Sequence, residues 1–269
     1  MKKDTRFKSQ KNRPSEHKLK RKPTLYGFHA VREAWLNPER VIEALYLTPQ
    51  AAGGFEATLA EAREKKLKRP EPETVDKALI DKSLPYGSVH QGVALSAAPL
   101  EERDLIDLLI AARGRPRTVL VMLDQVTDPH NLGAILRSAC VFGLSGLIQQ
   151  KKHAPELDAV VAKTACGAVE HIPIVNATNL SRALEELKED GFWVVGLDER
   201  GEKVIGESLP TKGGDSAKIV LVLGSEGEGI RRLIRENCDV LCRLPASGPI
   251  QSLNVSNAAV VAFYAVSRI

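Results

Sequence analysis

Hydrophobic positions in this chain fall into short unbroken runs separated by stretches with helical spacing, and that alternation predicts the elements. In the N-terminal third, Leu25-Tyr26-Gly27-Phe28-His29-Ala30-Val31 opens the first folded segment, with a helix over 30–36. A strand over 41–47 ends at Thr48-Pro49, and helical spacing runs over 55–66. Residues 66–69 read as the start of another strand, 75–82 as a helix and 92–96 as a closing strand. Between 97 and 117 come Pro99, Glu101-Glu102, a short amphipathic helix and Arg113-Gly114-Arg115-Pro116-Arg117, the pattern of a linker.

Beyond it the apolar runs are continuous, as in strands buried on both faces. They lie at 118–123, 146–149, 172–175, 192–197, 219–223 and 240–244. Helical patterns fill 132–142, 159–170 and 180–190; Gly143 stops the first of these, and a short helix and an Ala/Val-rich tail follow later. Alternating strand and helix predicts an α/β protein whose larger part is a parallel sheet with helices on both faces. The expected division is a basic arm over 1–23, a small α/β domain over 24–97, a linker over 98–117 and the larger domain over 118–269.

Composition changes this picture in three places. At 269 residues and 43% hydrophobic the chain holds a sizeable core, which 4% aromatics make aliphatic. No apolar window is long enough to span a bilayer, and the N-terminus has no apolar signal segment, so a cytoplasmic protein without a membrane partner is expected. Cys140, Cys166, Cys238 and Cys242 lack paired CxxC spacing, and Cys238 and Cys242, four apart, have no histidine near them, so the four read as reduced thiols rather than metal ligands. The formal charge of +4 is unevenly placed. Residues 1–23 hold ten Lys and Arg against Asp4 and Glu16, which leaves the remainder net acidic. Such an arm is expected to be disordered and to meet a polyanion, RNA or DNA, with a solubilising tail as the alternative. His90, alone before Gln91-Gly92, reads as a structural hydrogen-bonder.

The candidate chemistry lies in strand-end loops of the larger domain, where α/β proteins build their sites. Gly224-Ser225-Glu226-Gly227-Glu228-Gly229 has neither the spacing of a dinucleotide fingerprint nor the Lys-Ser/Thr of a P-loop, and its acids stand where a phosphate would bind. Its glycines can instead bring backbone close to a flat polar ligand such as adenine. Asn131 and Arg137 flank the start of one helix, Glu226 sits in the glycine loop, and Ser252 and Asn254 follow the last strand. Taken singly these are a helix cap, surface ion-pair members and turn residues.

Together they fall into three ordered motifs: 124–143 with Asn131, Gly133 and Arg137; 223–229 with Gly224, Glu226 and Gly229; and Leu244-Pro245 with Ser252-Leu253-Asn254-Val255-Ser256. In these the chain resembles the SpoU family of SPOUT-class RNA 2′-O-ribose methyltransferases. Tyr26-Gly27-Phe28-His29-Ala30-Val31 and Val89-His90-Gln91-Gly92-Val93 resemble the ends of the ribosomal-protein-like substrate-binding domain those enzymes carry. Ser247, Pro249 and Asn257 depart from the third motif.

The resemblance implies a C-terminal domain with a deep trefoil knot, a homodimer, and S-adenosylmethionine held by Gly224, Leu244 and Leu253. These three would otherwise read as a turn glycine and two core leucines. It implies that Arg137 acts on the substrate while Asn131, Glu226, Ser252 and Asn254 position it. The branch most resembled methylates a guanosine ribose in large-subunit ribosomal RNA. The alternatives are a transfer-RNA 2′-O-methyltransferase and a non-catalytic RNA-binding ribosome-assembly protein of the same fold.

Overall fold

Two sheets organise the chain. The computed structural model describes residues 18–207, 209, 217–250 and 252–268. The smaller sheet is formed by β1 (Leu25–Tyr26), β2 (Ile42–Leu47), β3 (Glu73–Thr74) and β4 (Val93–Ala97), in the order β1-β4-β2-β3. Helices α1 (Phe28–Leu36), α2 (Pro49–Glu64) and α3 (Lys77–Ser83) connect its strands. Thr48 caps α2, accepting from the Ala51 amide ahead of Pro49.

The expected strand at 66–69 is corrected: β3 forms seven residues later, at Glu73. Lys66 takes a left-handed φ of 54° at the end of α2. Arg69 then turns its guanidinium onto the carbonyls of Trp35, Asn37 and Arg40. Pro70 and Pro72 offer no amide to a ladder, so pairing waits until after them.

The basic arm lies outside the described residues up to His17. Of its remainder, Leu19 packs beside Tyr26, Tyr46 and Ile80, and the Arg21 amide donates to the Tyr46 hydroxyl at 2.8 Å. His90 is 2% exposed; its Nδ1 accepts from the Gly92 amide at 3.1 Å and its Nε2 lies 3.0 Å from Asp81 Oδ1. The ring fastens α3 to the turn before β4.

After α4 (Leu105–Ala112) come β5 (Arg117–Leu123), α5 (Pro129–Val141), β6 (Gly146–Gln150), α6 (Ala159–Thr164), β7 (Ile174–Ala177), α7 (Leu180–Glu189) and β8 (Trp193–Leu197). Then follow β9 (Lys203–Val204), β10 (Ala217–Leu223), α8 (Arg232–Glu236), β11 (Val240–Arg243) and α9 (Val255–Ser267). The larger sheet is parallel throughout, in the order β7-β6-β5-β10-β8-β11-β9. Because side chains alternate along a strand, each apolar run feeds both faces. Val119, Val121, Leu123, Ile219, Leu221 and Leu223 meet α5, α6 and α9, while Leu120, Met122, Val220 and Val222 meet α4, α7 and α8. Residues 98–117 are therefore not a free spacer: α4 buries Leu108, Leu109 and Ala112 against the sheet.

The helix expected over 159–170 stops at Thr164. Cys166 and Gly167 take left-handed φ of 51° and 86°, and a short 3-10 turn, Ala168–Glu170, follows. A Cβ on Gly167 would lie 2.6 Å from the Glu33 side chain, so glycine lets this turn press against α1. One apolar cluster consequently runs from Leu45 and Val93 in the small sheet through Ala168 and Val169 to Val121 and Ile219 in the large one. At its rim Arg40 pairs with the buried Glu170 at 2.9 Å, Asn37 donates to the same carboxylate at 2.8 Å, and His171 meets Glu33 at 2.8 Å.

Candidate active site

Strand order places the site. From β5 the chain goes to β6 on one side; from β10 it goes through α8 to β11 on the other. Loops leaving neighbouring strands in opposite directions open a crevice at their carboxyl ends, where α/β sheets bind ligands. Asn131 comes from the first turn of α5, which follows the β5 loop, and Glu226 from the β10 loop. Asn254, the residue capping α9, comes from the segment after β11.

These three side chains meet. Asn131 Nδ2 donates to Glu226 Oε1 at 3.0 Å, Asn254 Nδ2 donates to Asn131 Oδ1 at 3.0 Å, and Asn254 Nδ2 also donates to Glu226 Oε1. The Asn254 carbonyl is held by Ser256, whose amide and hydroxyl donate to it at 2.9 and 2.6 Å. That cap fixes the amide so that its nitrogen faces the other two. Glu226 uses only Oε1 here; among the described residues Oε2 takes no hydrogen bond.

Gly224, Glu226, Leu244, Ser252 and Leu253 line one cavity of about 500 Å³, walled also by Leu197, Leu223 and Arg243. Gly224 serves the loop itself. A Cβ there would lie 2.1 Å from the Gly229 carbonyl carbon, so the loop folds back on its own end only with glycine. Ser225 and Gly229 close that fold as an antiparallel bridge.

Arg137 is not in this cluster. It lies six residues past Asn131 on α5, about 120° round the helix, exposed and without hydrogen bond or ion pair among the described residues. It shares a flank with Val141, four residues on.

Two supports escaped the sequence reading. Asp124, fully buried at the end of β5, accepts from the Arg231 amide at 2.9 Å and Nε at 2.8 Å, and the same guanidinium reaches Gln150 Oε1 at 3.0 Å. An acid closing an apolar run was a visible signal for Asp124; nothing pointed to Arg231, 107 positions on. Asp198, at the edge of the cavity, is held bidentately by Arg200 at 2.8 and 2.9 Å. That pairing holds its carboxyl below the ordinary carboxylate value, against burial, with Arg235 contributing at longer range. Among the described residues no three His, Cys, Asp or Glu side chains gather as a metal site, and no helix is long and apolar enough to cross a membrane.

Comparison with known proteins gives the same answer for both parts of the chain. The model of the SpoU rRNA Methylase family matches residues 118–264, and that for RNA 2'-O ribose methyltransferase substrate binding matches 24–103. The 23S rRNA (guanosine-2'-O-)-methyltransferase RlmB of Pasteurella multocida is 38% identical over 247 residues, covering 91% of this chain and 97% of that protein. RlmB of Neisseria meningitidis is 41% identical over 237 residues, 86% and 89% of the two chains. In fold, the chain is similar to an AdoMet-bound rRNA methyltransferase from Sinorhizobium meliloti. That match has a TM-score of 0.72 at 23% identity and covers 91% of this chain and 87% of the other. With one family model over its larger sheet, another over its smaller one, and relatives aligned along nearly its whole length, this chain belongs to the SpoU family of RNA methyltransferases.

Proposed function

We propose that the chain transfers a methyl group from S-adenosylmethionine to the 2′-hydroxyl of a guanosine ribose in large-subunit ribosomal RNA, in the cytoplasm. The observation that carries the reading is the meeting of Asn131, Glu226 and Asn254 at the rim of the Gly224–Gly229 cavity.

The cavity fits the cofactor. Its volume of about 500 Å³ lies within the ~300–1,000 Å³ of small-molecule sites, and its lining combines apolar Leu197, Leu244 and Leu253 with polar Asp198 and Arg200. Gly224, Leu244 and Leu253 would hold the cofactor, with loop backbone supplying polar contacts. When bound, it supplies an electrophilic sulfonium methyl.

The chain's own residues align and charge-balance the acceptor. Glu226 Oε1 is tied by two amides, so Oε2 stands ready to accept a hydrogen bond that positions the ribose hydroxyl. Ser252, on the same cavity wall, adds a rotatable hydroxyl. Arg137, with no partner among the described residues, grips the target phosphate and offsets negative charge growing on the 2′-oxygen. A guanidinium with a pKa above about 12 is a poor base, so the proton passes to phosphate or water.

A second copy of the chain completes the assembly in this reading. Val141 on α5 and Val260, Val261 and Tyr264 on α9 are exposed apolar side chains on two helices that pack together. Tyr264→Asp should then sediment as a monomer. The deep trefoil knot belongs to the same reading. In its support, the Gly201 Cα lies where a Cβ would be 2.6 Å from the Cys242 carbonyl carbon, and α9 returns to pack on α5.

The test is incubation with methyl-labelled S-adenosylmethionine and total RNA, followed by mapping of the label. Label on a guanosine 2′-oxygen of large-subunit RNA is expected; label on transfer RNA alone, or none, overturns the proposal.

A further inference from the structure

A second cavity, of about 290 Å³, opens at the same edge of the large sheet, between the loops after β5 and β6. Gln125, Gln149, Lys152, His153 and Ser225 line it over a floor of Leu123 and Val126. Ser225 also lines the larger cavity, so the two share a wall, and the next residue along that wall is Glu226.

Gln149 is the residue that calls for a ligand. It lies on β6 in register with Leu123 and Asn176, and is 3% exposed. Its amide nitrogen donates to Asn176 Oδ1 at 2.9 Å, while its carbonyl oxygen is buried without a partner among the described residues. A leucine at this strand position would pack without stranding an acceptor, and buried polar groups are nearly always satisfied. Two further features mark the same cavity. Gln125 and His153 both take left-handed backbone, at φ 60° and 71°, a conformation that concentrates at ligand sites. Gln150 beside it is anchored by Arg231 at the start of α8, which also holds Asp124, so the wall is braced from that helix end.

We infer that this cavity receives the base of the target nucleotide, and that Gln149 Oε1 reads guanine by accepting from its N1–H and 2-amino edge. The inference rests on the methyltransferase reading above and deepens it. An unpartnered buried acceptor selects a donor edge; adenine would present its N1 lone pair there instead. Lys152, exposed and without an ion pair among the described residues, supplies the cation that suits the O6 and N7 acceptors of guanine. The cavity is below the usual range for whole small molecules, which suits one base. With the base here and the methyl donor beyond Ser225, the ribose falls beside Glu226.

The test uses the full chain and an RNA fragment containing the mapped target nucleotide, with that position guanosine, inosine or adenosine. Wild type should disfavour adenosine by about a hundredfold in kcat/KM and inosine by about tenfold, the range of discrimination a good base-edge contact supplies. Gln149→Leu should bring the three substrates within a few-fold of one another, with affinity for S-adenosylhomocysteine unchanged. Gln149→Glu, which keeps an acceptor, should retain the preference for guanosine. Equal rates on guanosine and adenosine in wild type, a uniform slowing in Gln149→Leu, or a mapped pyrimidine target would overturn the base site while leaving the methyltransferase standing. Absence of methyl transfer by wild type to any RNA would remove the functional reading itself, and the base site with it.

Discussion

Asn131 Nδ2 donates to Glu226 Oε1 at 3.0 Å across 95 positions of sequence. The bond ties the first turn of α5 to the loop after β10, two connections that leave adjacent parallel strands in opposite directions, and Asn254 joins it from the cap of the last helix. A network in which each member orients the others predicts non-additivity. Glu226→Ala and Asn131→Ala should each slow single-turnover methyl transfer, and the double variant should be little worse than either. A coupling of about 0.5–3 kcal/mol is expected; strict additivity would mean that the three side chains act separately. Asn254→Asp should keep the helix cap but lose the bridging amide, giving a stable, slow enzyme.

Arg137 stands outside that network and should act on the substrate rather than on its neighbours. Arg137→Ala should lower the single-turnover rate by about a hundredfold, as loss of a donor to developing charge does, with cofactor affinity unaltered. Arg137→Lys should recover part of the rate. Its pH–rate profile decides the role: a rate that falls as the lysine loses its proton supports charge stabilisation, whereas a rate that climbs makes this side chain the base.

The Glu170 side chain is fully buried between Arg40 and Asn37, joining the turn after α6 to the end of α1. Removing one partner of a buried pair strands the other, at a cost of about 3–5 kcal/mol. Arg40→Met should therefore lower the urea midpoint and raise amide exchange in both α1 and residues 168–172. Exchange confined to α1 would show that the two sheets are not coupled through this pair.

Asp198 carries the acid sensitivity of the large cavity. Its folded pKa is depressed, chiefly by the Arg200 hydrogen bonds, so its contribution is whole above the ordinary carboxylate value of about 4 and is lost as pH falls through the folded pKa. Arg200→Met should move the acid-unfolding midpoint to higher pH and leave stability near neutrality less changed. An unmoved midpoint would assign acid unfolding to other carboxylates.

The sequence by itself determined the elements and their class. Unbroken aliphatic runs such as 219–223 can be only buried strands when helices alternate with them, and the three motifs named the family because residue types and spacing survive without coordinates. Boundaries failed where backbone conformation overrode the pattern, as at Lys66 and at Cys166-Gly167, where left-handed residues end a helix; at Gly167 the turn answers to Glu33, far back along the chain. What only the tertiary structure decided is which polar residues share a place. Strand order, set by packing on both faces of the sheet, brings Asn131, Glu226 and Asn254 together while helix geometry sets Arg137 apart. The pairing of Asp124 with Arg231, and the Gln149 oxygen left unpaired among the described residues, were invisible for the same reason. Hydrogen-bond satisfaction is a property of neighbours in space, and a sequence records only neighbours along the chain.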